Sequence, residues 1–514
     1  MASEGRVDDV IEMLLGLLVG ARNNNTQLVA RLQKALRQLY GRKSEKIDPA
    51  QLSLLLASLG QMVPEGALGE ADDDDAKGLV ATPSELPKKL GGRKPRRELP
   101  DNLPREKRRV SVSDVEKTCS GCGKPRPCIG YIKSEILEFI PAHFKIIEQE
   151  REKVACPNCD TGVTTAPSEK VMERGLPGPG LLANILTSKG QDGMPLYRQA
   201  QAYKRAGVSL SESTLGDWAA FAADIIVPIA NRLRRHVVGD SYIRADDTGL
   251  RVLDRDHPNG VKRGHLWAYV AGRSVVFQYA PDWKAEHPTD FLRNFRGHLQ
   301  GDGYAGFDQV LESPEGMDPD VDEGRRLGCG MHIRRKFEEA ANAGDARGAI
   351  AMAFFVKIYR IEAECKAEGL TTAARHARRQ DQSLPILDDM YRWIHDVSRT
   401  VVPGTLAHAA TRYATNQEKR WRLCFSDGRF EIDNGEVERQ LRRVATGRKN
   451  YLFAGSDKGA ERIATAYTIL GTCHMNDVNP LAYLTDVIDK IQNGWPTARL
   501  DELLPDRWTP TAVG

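Results

Sequence analysis

Mostly apolar residues recur with a seven-residue period between positions 7 and 39 of the chain. Steps of four and three alternate, which places one apolar seam along a coiled-coil helix. The members of the seam are Val7, Ile11, Leu14, Leu18, Ala21, Asn25, Leu28, Leu32, Ala35 and Leu39. Asn25 falls at an a position, where a buried polar pair favours a two-stranded state. We therefore predict a coiled-coil dimerisation helix over residues 1–45.

A second interpretation of this repeat is an amphipathic helix that packs on the chain's own globular body. Gly16 and Gly20 weaken any helix here, because glycine has a low helix propensity. The two interpretations differ in whether the segment contributes to self-association.

The apolar pattern is lost between residues 46 and 110, where an acidic run is followed by a basic one. This composition is typical of a solvated linker. The density of basic residues also suits contacts with DNA phosphates. The candidate contacts in this stretch are Arg93, Lys94, Arg96 and Arg97.

Helical periodicity returns between residues 166 and 238, with a turn between two short helices before a polar segment at Ser213. Such an arrangement suits a helix-turn-helix that reads DNA. A purely structural helical hairpin fits the same pattern.

The largest predicted unit, residues 239–480, opens with three strand patterns. They lie near 241–254, 265–271 and 274–280. A helix near 288–298 and one further strand follow. Three antiparallel strands, a helix and another strand are typical of an RNase H-like core.

Two helical stretches complete the predicted fold. Residues 338–425 are mostly helical in pattern, so we predict an all-α insertion within the core. Residues 481–514 form a C-terminal helical segment. The fold class is therefore multidomain α+β.

Composition places bounds on the class of protein. The chain has 514 residues and a formal net charge of only +3, but its charges are unevenly distributed. Nine cysteines in a chain of this length do not suggest a secreted disulfide scaffold. The apolar run Met13–Val19 is too short to cross a bilayer, and acidic residues precede it. We expect a soluble, cytoplasmic protein that binds no membrane.

Two CxxC pairs predict a structural zinc site in a zinc ribbon over residues 111–165. Four thiolates in two such pairs match tetrahedral zinc. The four cysteines are Cys119, Cys122, Cys156 and Cys159. The separation between the two pairs exceeds the usual range of about 15–20 residues. A β-hairpin predicted over 136–153 could bring the two pairs together. Cys128 and His143 are substitute ligands, and reduced structural cysteines are the alternative.

Three carboxylates stand at the ends of predicted strands. Asp246 and Asp247 close the strand-like run SYIRADDT, and Asp302 lies in the Gly-rich turn of LQGDGYAGF. Asp247 is either an auxiliary ligand or an exposed second carboxylate.

A helix predicted to begin near Asn434 carries an apolar stripe and a dense basic band. Val437, Leu441 and Val444 form the stripe, which predicts the face that packs on a core. Arginines and lysines occupy much of the remaining surface of this helix and its exit.

Two glutamates, Glu436 and Glu438, flank that stripe, and the helix cap distinguishes them. Asp433 followed by Glu436 is a capping-box pattern, so Glu436 is predicted to close the cap and Glu438 to remain free. A free carboxylate among basic residues is either a partner of solvated ion pairs or a metal ligand placed where phosphates bind.

These motifs resemble those of a known family, the DDE transposases of the insertion-sequence-66 type. The likeness covers nearly the whole chain, and its motifs occur in the same order. They are ADDT at 245–248, DGYAGF at 302–307, GCGMHIRRKF at 328–337, DN at 433–434, ER at 438–439 and GRKN at 447–450.

The chain departs from the family pattern at three places. Asp247 stands where the family usually has Glu, and Gly435 stands where Asn is common. Gly330 and Met331 replace the usual Trp and Ala. The first two departures leave the expected ligands intact, and the third affects local packing.

The resemblance implies a DNA transposase whose catalytic, metal-binding residues are Asp246, Asp302 and Glu438. Mg²⁺ or Mn²⁺ ions held there would activate water to cut a strand, and then the released 3′-hydroxyl to attack target DNA. The resemblance also implies the zinc-finger segment. The expected partners are double-stranded DNA, a second copy of the chain and small accessory proteins of the same element.

Further basic residues near these motifs are candidate DNA contacts. They are Arg334, Arg335, Lys336, Arg442, Arg448 and Lys449. Just before them, Cys329 and His332 form a CxxH pair, which is weak evidence for metal; we expect a packed Cys and a hydrogen-bonding or DNA-facing His. Cys365, Cys424 and Cys473 are predicted to be buried.

Two other functions fit the sequence. One is an RNase H-like endonuclease without strand transfer. The other is a zinc-containing, dimeric DNA-binding protein whose core does not catalyse, which the intact Asp246, Asp302 and Glu438 disfavour.

Overall fold

The computed structural model of the chain describes residues 144–150, 152–155, 163–165, 170–172, 175–311 and 325–510. The chain divides into two compact units, Gly69–Glu148 and the remainder. In the first unit the described residues 144–148 form no helix or strand. All elements named below belong to the second unit. The predicted coiled coil and linker lie outside the described residues.

A short antiparallel pair of strands precedes the main body of the fold. Lys153–Ala155 (β1) pairs with Val163–Thr165 (β2). We predicted a hairpin over 136–153; of its described residues, 144–150 and 152–153, only Lys153 lies in a strand. The paired strands therefore lie later in the chain than predicted, on either side of the second CxxC pair.

Four helices follow and precede the central sheet. They are Pro179–Gly190 (α1), Leu196–Arg205 (α2), Glu212–Ile225 (α3) and Val227–Val238 (α4). Ser211 caps α3, because its Oγ accepts a hydrogen bond from the Thr214 backbone N at 3.1 Å.

The turn between α2 and α3 lies where the sequence predicts a helix-turn-helix or a structural helical hairpin. Leu215 and Trp218 on the inner face of α3 are buried. Its outer face carries the exposed Glu212 and Asp217. The helix-turn-helix and the structural hairpin both require these two helices and this turn.

The central sheet has five strands in the order β5-β4-β3-β6-β7. Tyr242–Leu253 (β3), Val261–Ala271 (β4) and Ser274–Ala280 (β5) pair antiparallel. His298–Gln300 (β6) runs parallel to β3, and Arg326–Leu327 (β7) runs parallel to β6. The three long strands lie where the sequence predicts them, whereas β7 was not predicted.

Two short helices adjoin the sheet, Glu286–Phe291 (α5) and Gly306–Leu311 (α6). The helix predicted over 288–298 is thus shorter than expected. Leu292 is the C-cap of α5, and Phe291, Leu292 and Phe295 are all buried in the core.

Helices dominate the chain after β7. They are Gly330–Asn342 (α7), Ala346–Ala367 (α8), Thr372–Arg378 (α9), Leu384–Ser398 (α10), Leu406–Leu423 (α11), Gly435–Tyr451 (α12), Asp457–Met475 (α13) and Pro480–Gln492 (α14). A π-helical turn, Arg379–Ser383, joins α9 to α10, and a 3-10 helix, Thr497–Leu503, follows α14.

Apolar side chains form a core on each face of the sheet. Residues of α1, α3, α4 and α14 pack against one face, residues of α12 pack against the other, and α13 contributes side chains to both cores. A third core joins α7, α8, α10 and α11 to Phe430 and Ile432, which lead into α12. The all-helical stretch is therefore connected through its core to the start of α12.

No single helix in the described part of the chain is long and apolar enough to cross a membrane. Only when the bent pair α3 and α4 is taken as one segment do its length and composition suffice in the described residues. The apolar residues of both helices belong to the core.

Candidate active site

Asp246 lies in β3, where strand alternation decides the direction of each side chain. Leu250 and Val252 pack in the same apolar cluster as Val437 of α12, so even-numbered residues of β3 face that helix. Ala245 packs in the cluster on the opposite face. The carboxylate of Asp246 therefore faces α12, and that of Asp247 points to the other side of the sheet.

Asn434 fastens the start of α12 to β3. Its side chain is fully buried, and Nδ2 donates a hydrogen bond to the Ala245 carbonyl oxygen at 2.7 Å. The Asn434 backbone N donates to the Cys329 Sγ at 3.3 Å. These two bonds fix the first turn of α12 next to Asp246 and next to the segment that leads into α7.

Helix α12 begins at Gly435, as the sequence predicts, but the predicted capping box is wrong. Asp433 lies one residue before the N-cap, and its carboxylate accepts from the Gly435 backbone N at 2.8 Å. Glu436 is therefore not needed at the cap. It pairs with Arg439 and accepts from the Gln440 Nε2 at 2.8 Å. Glu436 is engaged as expected, but by the following turn of the helix.

Glu438 converges with Asp246 of β3 and His332 of α7. One ligand atom of each residue lies within 4.8 Å of the others. The Glu438 Oε1 lies 3.9 Å from the His332 Nε2 and accepts a hydrogen bond from the Arg335 guanidinium at 2.9 Å. Two carboxylates and an imidazole from three different elements thus form one cluster.

The charges of this cluster act on one another. Burial raises the pKa of the Asp246 carboxyl well above its usual range, and the negative charges of Asp302 and Glu438 raise it further. Burial lowers the pKa of His332, against the raising effect of the nearby Asp302. Carboxylates that repel one another in a buried site are the arrangement that a bound cation stabilises.

Asp302 lies beside this cluster, in the turn after β6. Its Oδ1 accepts a hydrogen bond from the Tyr304 backbone N at 2.9 Å. The Arg326 guanidinium donates to the Asp302 carbonyl oxygen. Asp302 is close enough to affect the pKa of Asp246, but it is not one of the three residues whose ligand atoms meet.

Asp247 is neither exposed nor part of the cluster. Its Oδ2 lies 2.6 Å from the His265 Nδ1, and its Oδ1 accepts from the Trp283 Nε1 at 3.0 Å. Both contacts lie on the face of the sheet away from Asp246. The carboxylate is thereby bonded to two side chains and is not available to a metal held by Asp246 and Glu438.

Of the basic residues expected on α12, Arg442 and Lys449 are exposed. Arg448 is partly buried and donates to the Gly249 carbonyl oxygen of β3. Arg448 therefore supports the packing of α12 on the sheet. Of the three expected contacts on this helix, Arg442 and Lys449 are the exposed ones.

The basic residues expected on α7 have acidic neighbours. Arg335 binds Glu438. Arg334 lies 3.9 Å from Glu338, and Lys336 lies 3.5 Å from Glu339. The four zinc-ribbon cysteines and the linker cations Arg93, Lys94, Arg96 and Arg97 lie outside the described residues.

Sequence reasoning missed the place of His332 and the role of Asn434. The CxxH spacing was visible, and it predicted a packed Cys, which is confirmed because Cys329 is buried. Cys365, Cys424 and Cys473 are buried as well, as predicted. The spacing could not reveal that the first turn of α7 brings His332 to Asp246 and Glu438.

Comparison with protein families matches four parts of the chain. Residues 174–462, which include the whole cluster, match the model described as Transposase IS66 family. Residues 468–505 match an IS66 C-terminal element, and 116–160 match a zinc-finger binding domain of transposase IS66. Residues 27–108 match a model described as Transposase C of IS166 homeodomain.

Curated relatives from Sinorhizobium fredii (strain NBRC 101917 / NGR234) are similar over almost their whole length. Uncharacterized protein y4hP is 33% identical over 503 residues, covering 94% of this chain and 88% of the relative. Uncharacterized protein y4qI is 30% identical over 539 residues, covering 99% of this chain and 98% of the relative. With a family model that spans more than half of its length, the chain belongs to the transposase IS66 family.

Proposed function

We propose that the chain is a DNA transposase that cleaves the ends of its insertion element and joins the 3′-hydroxyls to target DNA. The observation that carries this proposal is the convergence of Asp246, His332 and Glu438, with Asp302 beside them. The family name indicates DNA transposition, and we assign the chemistry of that reaction to this cluster.

The central sheet supports an RNase H-like core. Three antiparallel strands, followed by two strands parallel to the first, give the order β5-β4-β3-β6-β7. Asp246 lies on the middle strand of that order and Asp302 directly after its parallel neighbour. The helices from α7 to α11 lie between β7 and α12, where the insertion is expected.

The donor set of the cluster fits a divalent cation. Carboxylate oxygens suit Mg²⁺ and Mn²⁺, and Asp246 and Glu438 offer one each within reach of the other. Asp302 would complete the set from the turn after β6. A bound cation would supply the activation of water or of a 3′-hydroxyl and would stabilise the leaving oxygen.

The chain's own residues hold these ligands in place before any DNA binds. Asn434 fixes the start of α12 against β3, and this sets the position of Glu438 relative to Asp246. Arg335 donates to Glu438 and places a positive charge at the edge of the cluster. A guanidinium there can bind a phosphate oxygen of the DNA backbone.

DNA is the expected substrate and partner. Arg442 and Lys449 project from α12 on the surface that leads away from Glu438, which suits contacts with successive phosphates. The zinc ribbon, the homodimer and the accessory proteins of the element remain parts of the proposal that concern regions outside the described residues.

The test is a cleavage assay with the full-length chain, labelled element-end DNA and Mg²⁺. Cleaved and joined products are expected from the wild-type chain. Glu438→Gln keeps the shape of the side chain and removes its charge, so it should abolish both products while DNA binding persists. Asp246→Asn and Asp302→Asn should behave in the same way.

Glu436→Gln is the matched control, because the hydrogen-bond partners of Glu436 among the described residues, Arg439 and Gln440, lie in its own helix. It should retain cleavage. Cleavage without joining would indicate the endonuclease instead. DNA binding without either product would indicate the non-catalytic DNA-binding protein.

A further inference from the structure

Two large apolar side chains project into solvent where α12 ends. Leu452 is 57% exposed and Phe453 is 39% exposed. Leu253, at the end of β3, is 38% exposed. Side chains of this size are usually buried, so neighbouring exposed examples indicate a binding surface.

The backbone at this point adopts a strained conformation. Leu452 has a φ of 63°, in the region that favours glycine. The Phe453 backbone N donates to the Tyr451 carbonyl oxygen at 2.7 Å, which closes a tight turn around Leu452. A leucine in this conformation costs free energy, and such strain persists where surrounding contacts enforce it.

Contacts with β3 enforce the turn. The Ala454 backbone N donates to the Arg251 carbonyl oxygen at 2.8 Å, and the Leu253 backbone N donates to the Ala454 carbonyl oxygen at 2.9 Å. Ala454 itself is buried. The turn is therefore held between the last turn of α12 and the end of β3, with Leu452 and Phe453 pointing outward.

Exposed cations lie close in sequence to these apolar side chains, with Lys449 three residues before Leu452 and Arg251 two residues before Leu253. Arg442 and Lys449 project from α12, and Arg251 and Arg263 project from paired positions of β3 and β4. Two carboxylates of the adjoining segments, Asp254 after β3 and Asp457 at the start of α13, are bound to Lys262 at 3.2 and 2.8 Å. Lys449 and Arg251 thus offer positive charge beside the apolar side chains.

We propose that Leu452 and Phe453 form an apolar wedge that inserts between neighbouring base pairs of DNA bound along α12. Proteins that bend DNA insert apolar side chains in this way between cationic contacts to the flanking phosphates. The inference rests on the proposed function, because it assumes that the DNA bound there is the one cleaved at Glu438.

The length of α12 fixes where the wedge enters. Leu452 follows Glu438 by nearly four helical turns, or roughly 21 Å at 1.5 Å per residue. This distance corresponds to about six base pairs at 3.4 Å each. The distorted base step is therefore expected about six base pairs from the cleaved phosphate.

A second copy of the chain is the competing occupant of this surface. Two or three apolar side chains offer far less area than a stable protein interface, which buries roughly 800 Å² on each partner. The exposed cations Lys449 and Arg251 would also repel the same residues of a second copy. DNA fits this surface better, because its phosphates attract the cations and the space between two base pairs accepts a wedge of only two side chains.

The test uses the full-length chain and element-end duplexes that carry 2-aminopurine at successive positions, without divalent cation so that cleavage is prevented. Fluorescence of 2-aminopurine rises when its base unstacks. The wild-type chain should raise the fluorescence at one step, about six base pairs from the cleavage site. Leu452→Gly and Phe453→Ala should abolish the rise.

Leu452→Gly removes the apolar side chain without destabilising the fold, because glycine accepts a positive φ without strain. Val402→Ala is the matched control, since Val402 is 64% exposed and lies in the helical stretch between α10 and α11. It should leave the fluorescence unchanged. An abasic site at the distorted step should strengthen wild-type binding and bring no gain to Leu452→Gly.

Three results would overturn the wedge: no rise at any position in the bound wild type, a full rise in Leu452→Gly, or a lower oligomeric order in that variant with unchanged fluorescence. The last result would assign the surface to a second copy. Unstacking by a chain that does not cleave in Mg²⁺ would contradict the proposed function and leave the wedge in place. Cleavage without unstacking would contradict the wedge alone.

Discussion

Gly330 lies against the indole of Trp421, and this contact accounts for one departure from the family pattern. A Cβ at position 330 would lie 2.6 Å from the Trp421 Nε1. That nitrogen donates to the Ile432 carbonyl oxygen at 2.8 Å, which fixes the ring. The space beside α7 is therefore filled by Trp421 from α11, and a larger residue at position 330 would require the ring to move.

His332 gives the first prediction at the residue scale. His332→Gln should lower the rate of Mg²⁺-dependent cleavage on the order of 10- to 100-fold, which is typical when a group that supports a metal site is lost. The glutamine retains hydrogen bonding, so DNA binding should stay close to that of the wild type. The measurement is single-turnover cleavage with binding determined in parallel.

His474→Gln is the control for this prediction, because His474 lies in the last turn of α13. It should cleave at the wild-type rate. Equal rates for His332→Gln and the wild type would show that the imidazole is only a neighbour of Glu438.

The sequence predicts the types of residue at the site better than their partners. Strand and helix patterns marked Asp246 and Glu438 as candidates, the family resemblance assigned them as ligands, and the structure brings them together. The contact of His332 with them depends on how α7 packs against α12, which no local pattern encodes. The partners of Asp247 were equally unpredictable, because the side to which its carboxylate points depends on which face of β3 packs against α12.

At the scale of elements, a buried ion network joins the helical stretch to the segment before α12. The guanidinium of Arg379 is fully buried and makes two hydrogen bonds with Glu362 of α8, at 2.7 and 2.9 Å. Arg375 of α9 bridges Glu362 to Glu431 at 2.6 and 2.8 Å. Since Glu431 lies just before Asn434, the network helps to hold the start of α12.

Glu362→Gln should therefore destabilise the chain strongly. It leaves the buried guanidinium of Arg379 without its counter-charge, and loss of one partner of a buried pair typically costs about 3–5 kcal/mol. Urea unfolding at neutral pH measures the change. Asp389→Asn removes an exposed pair with Arg392 and should cost at most about 1 kcal/mol. Similar small losses for both variants would contradict a supporting role for the network.

The same network predicts a dependence on pH. Burial by itself raises the pKa of Glu431, but the hydrogen bonds and charge of Arg375 outweigh it and lower the pKa. An acid with a lowered pKa in the folded state stabilises the fold above its unfolded pKa of about 4.3. This contribution is lost as the pH falls through the folded pKa.

The difference in unfolding free energy between the wild type and Glu431→Gln should accordingly be constant near neutral pH. It should shrink below about pH 4, where the carboxylate of the wild type becomes protonated. Urea unfolding of both proteins across this range measures it. A difference that grows on acidification would show that Arg375 does not lower the pKa of Glu431.

Element positions were more predictable than the bonds at their ends. The apolar stripe of Val437, Leu441 and Val444 placed α12 correctly, because burial on the sheet follows the helical period. The capping box was wrong because the register of the cap differs by one residue, so Asp433 reaches Gly435 instead. A shift of one residue at a helix end is invisible to a periodic pattern.

At the scale of the whole molecule, zinc binding is a prediction about the full chain. Metal analysis should find zinc, and Cys119→Ser combined with Cys156→Ser should lose it, because each CxxC pair would supply two of the four thiolates. Cys365→Ser changes a buried thiol outside these pairs and should retain the metal. Full zinc content in the double variant would leave the reduced structural cysteines as the interpretation.

The strand order of the sheet can be predicted from the sequence where the strands are long and each pairs with the next strand in the chain. The three antiparallel strands were predictable because each carries its own apolar pattern and pairs with its neighbour in the chain. The two-residue strand β7 was not, because so short a segment has no periodicity and owes its place to parallel pairing with β6.

The remaining prediction concerns self-association through the first helix. Deletion of residues 1–45 should lower the oligomeric order in light scattering, because the seam of the coiled coil is then removed. The thermal unfolding of the remaining core should be nearly unchanged.

Asn25→Leu separates a coiled coil from an internal helix. In a coiled coil, leucine at this a position removes the polar pair that favours two strands, so larger or mixed oligomers should appear. In a helix packed on its own body, the same change should alter stability without altering the mass. An identical mass for the wild type, Asn25→Leu and the deletion would therefore assign the seven-residue repeat to internal packing.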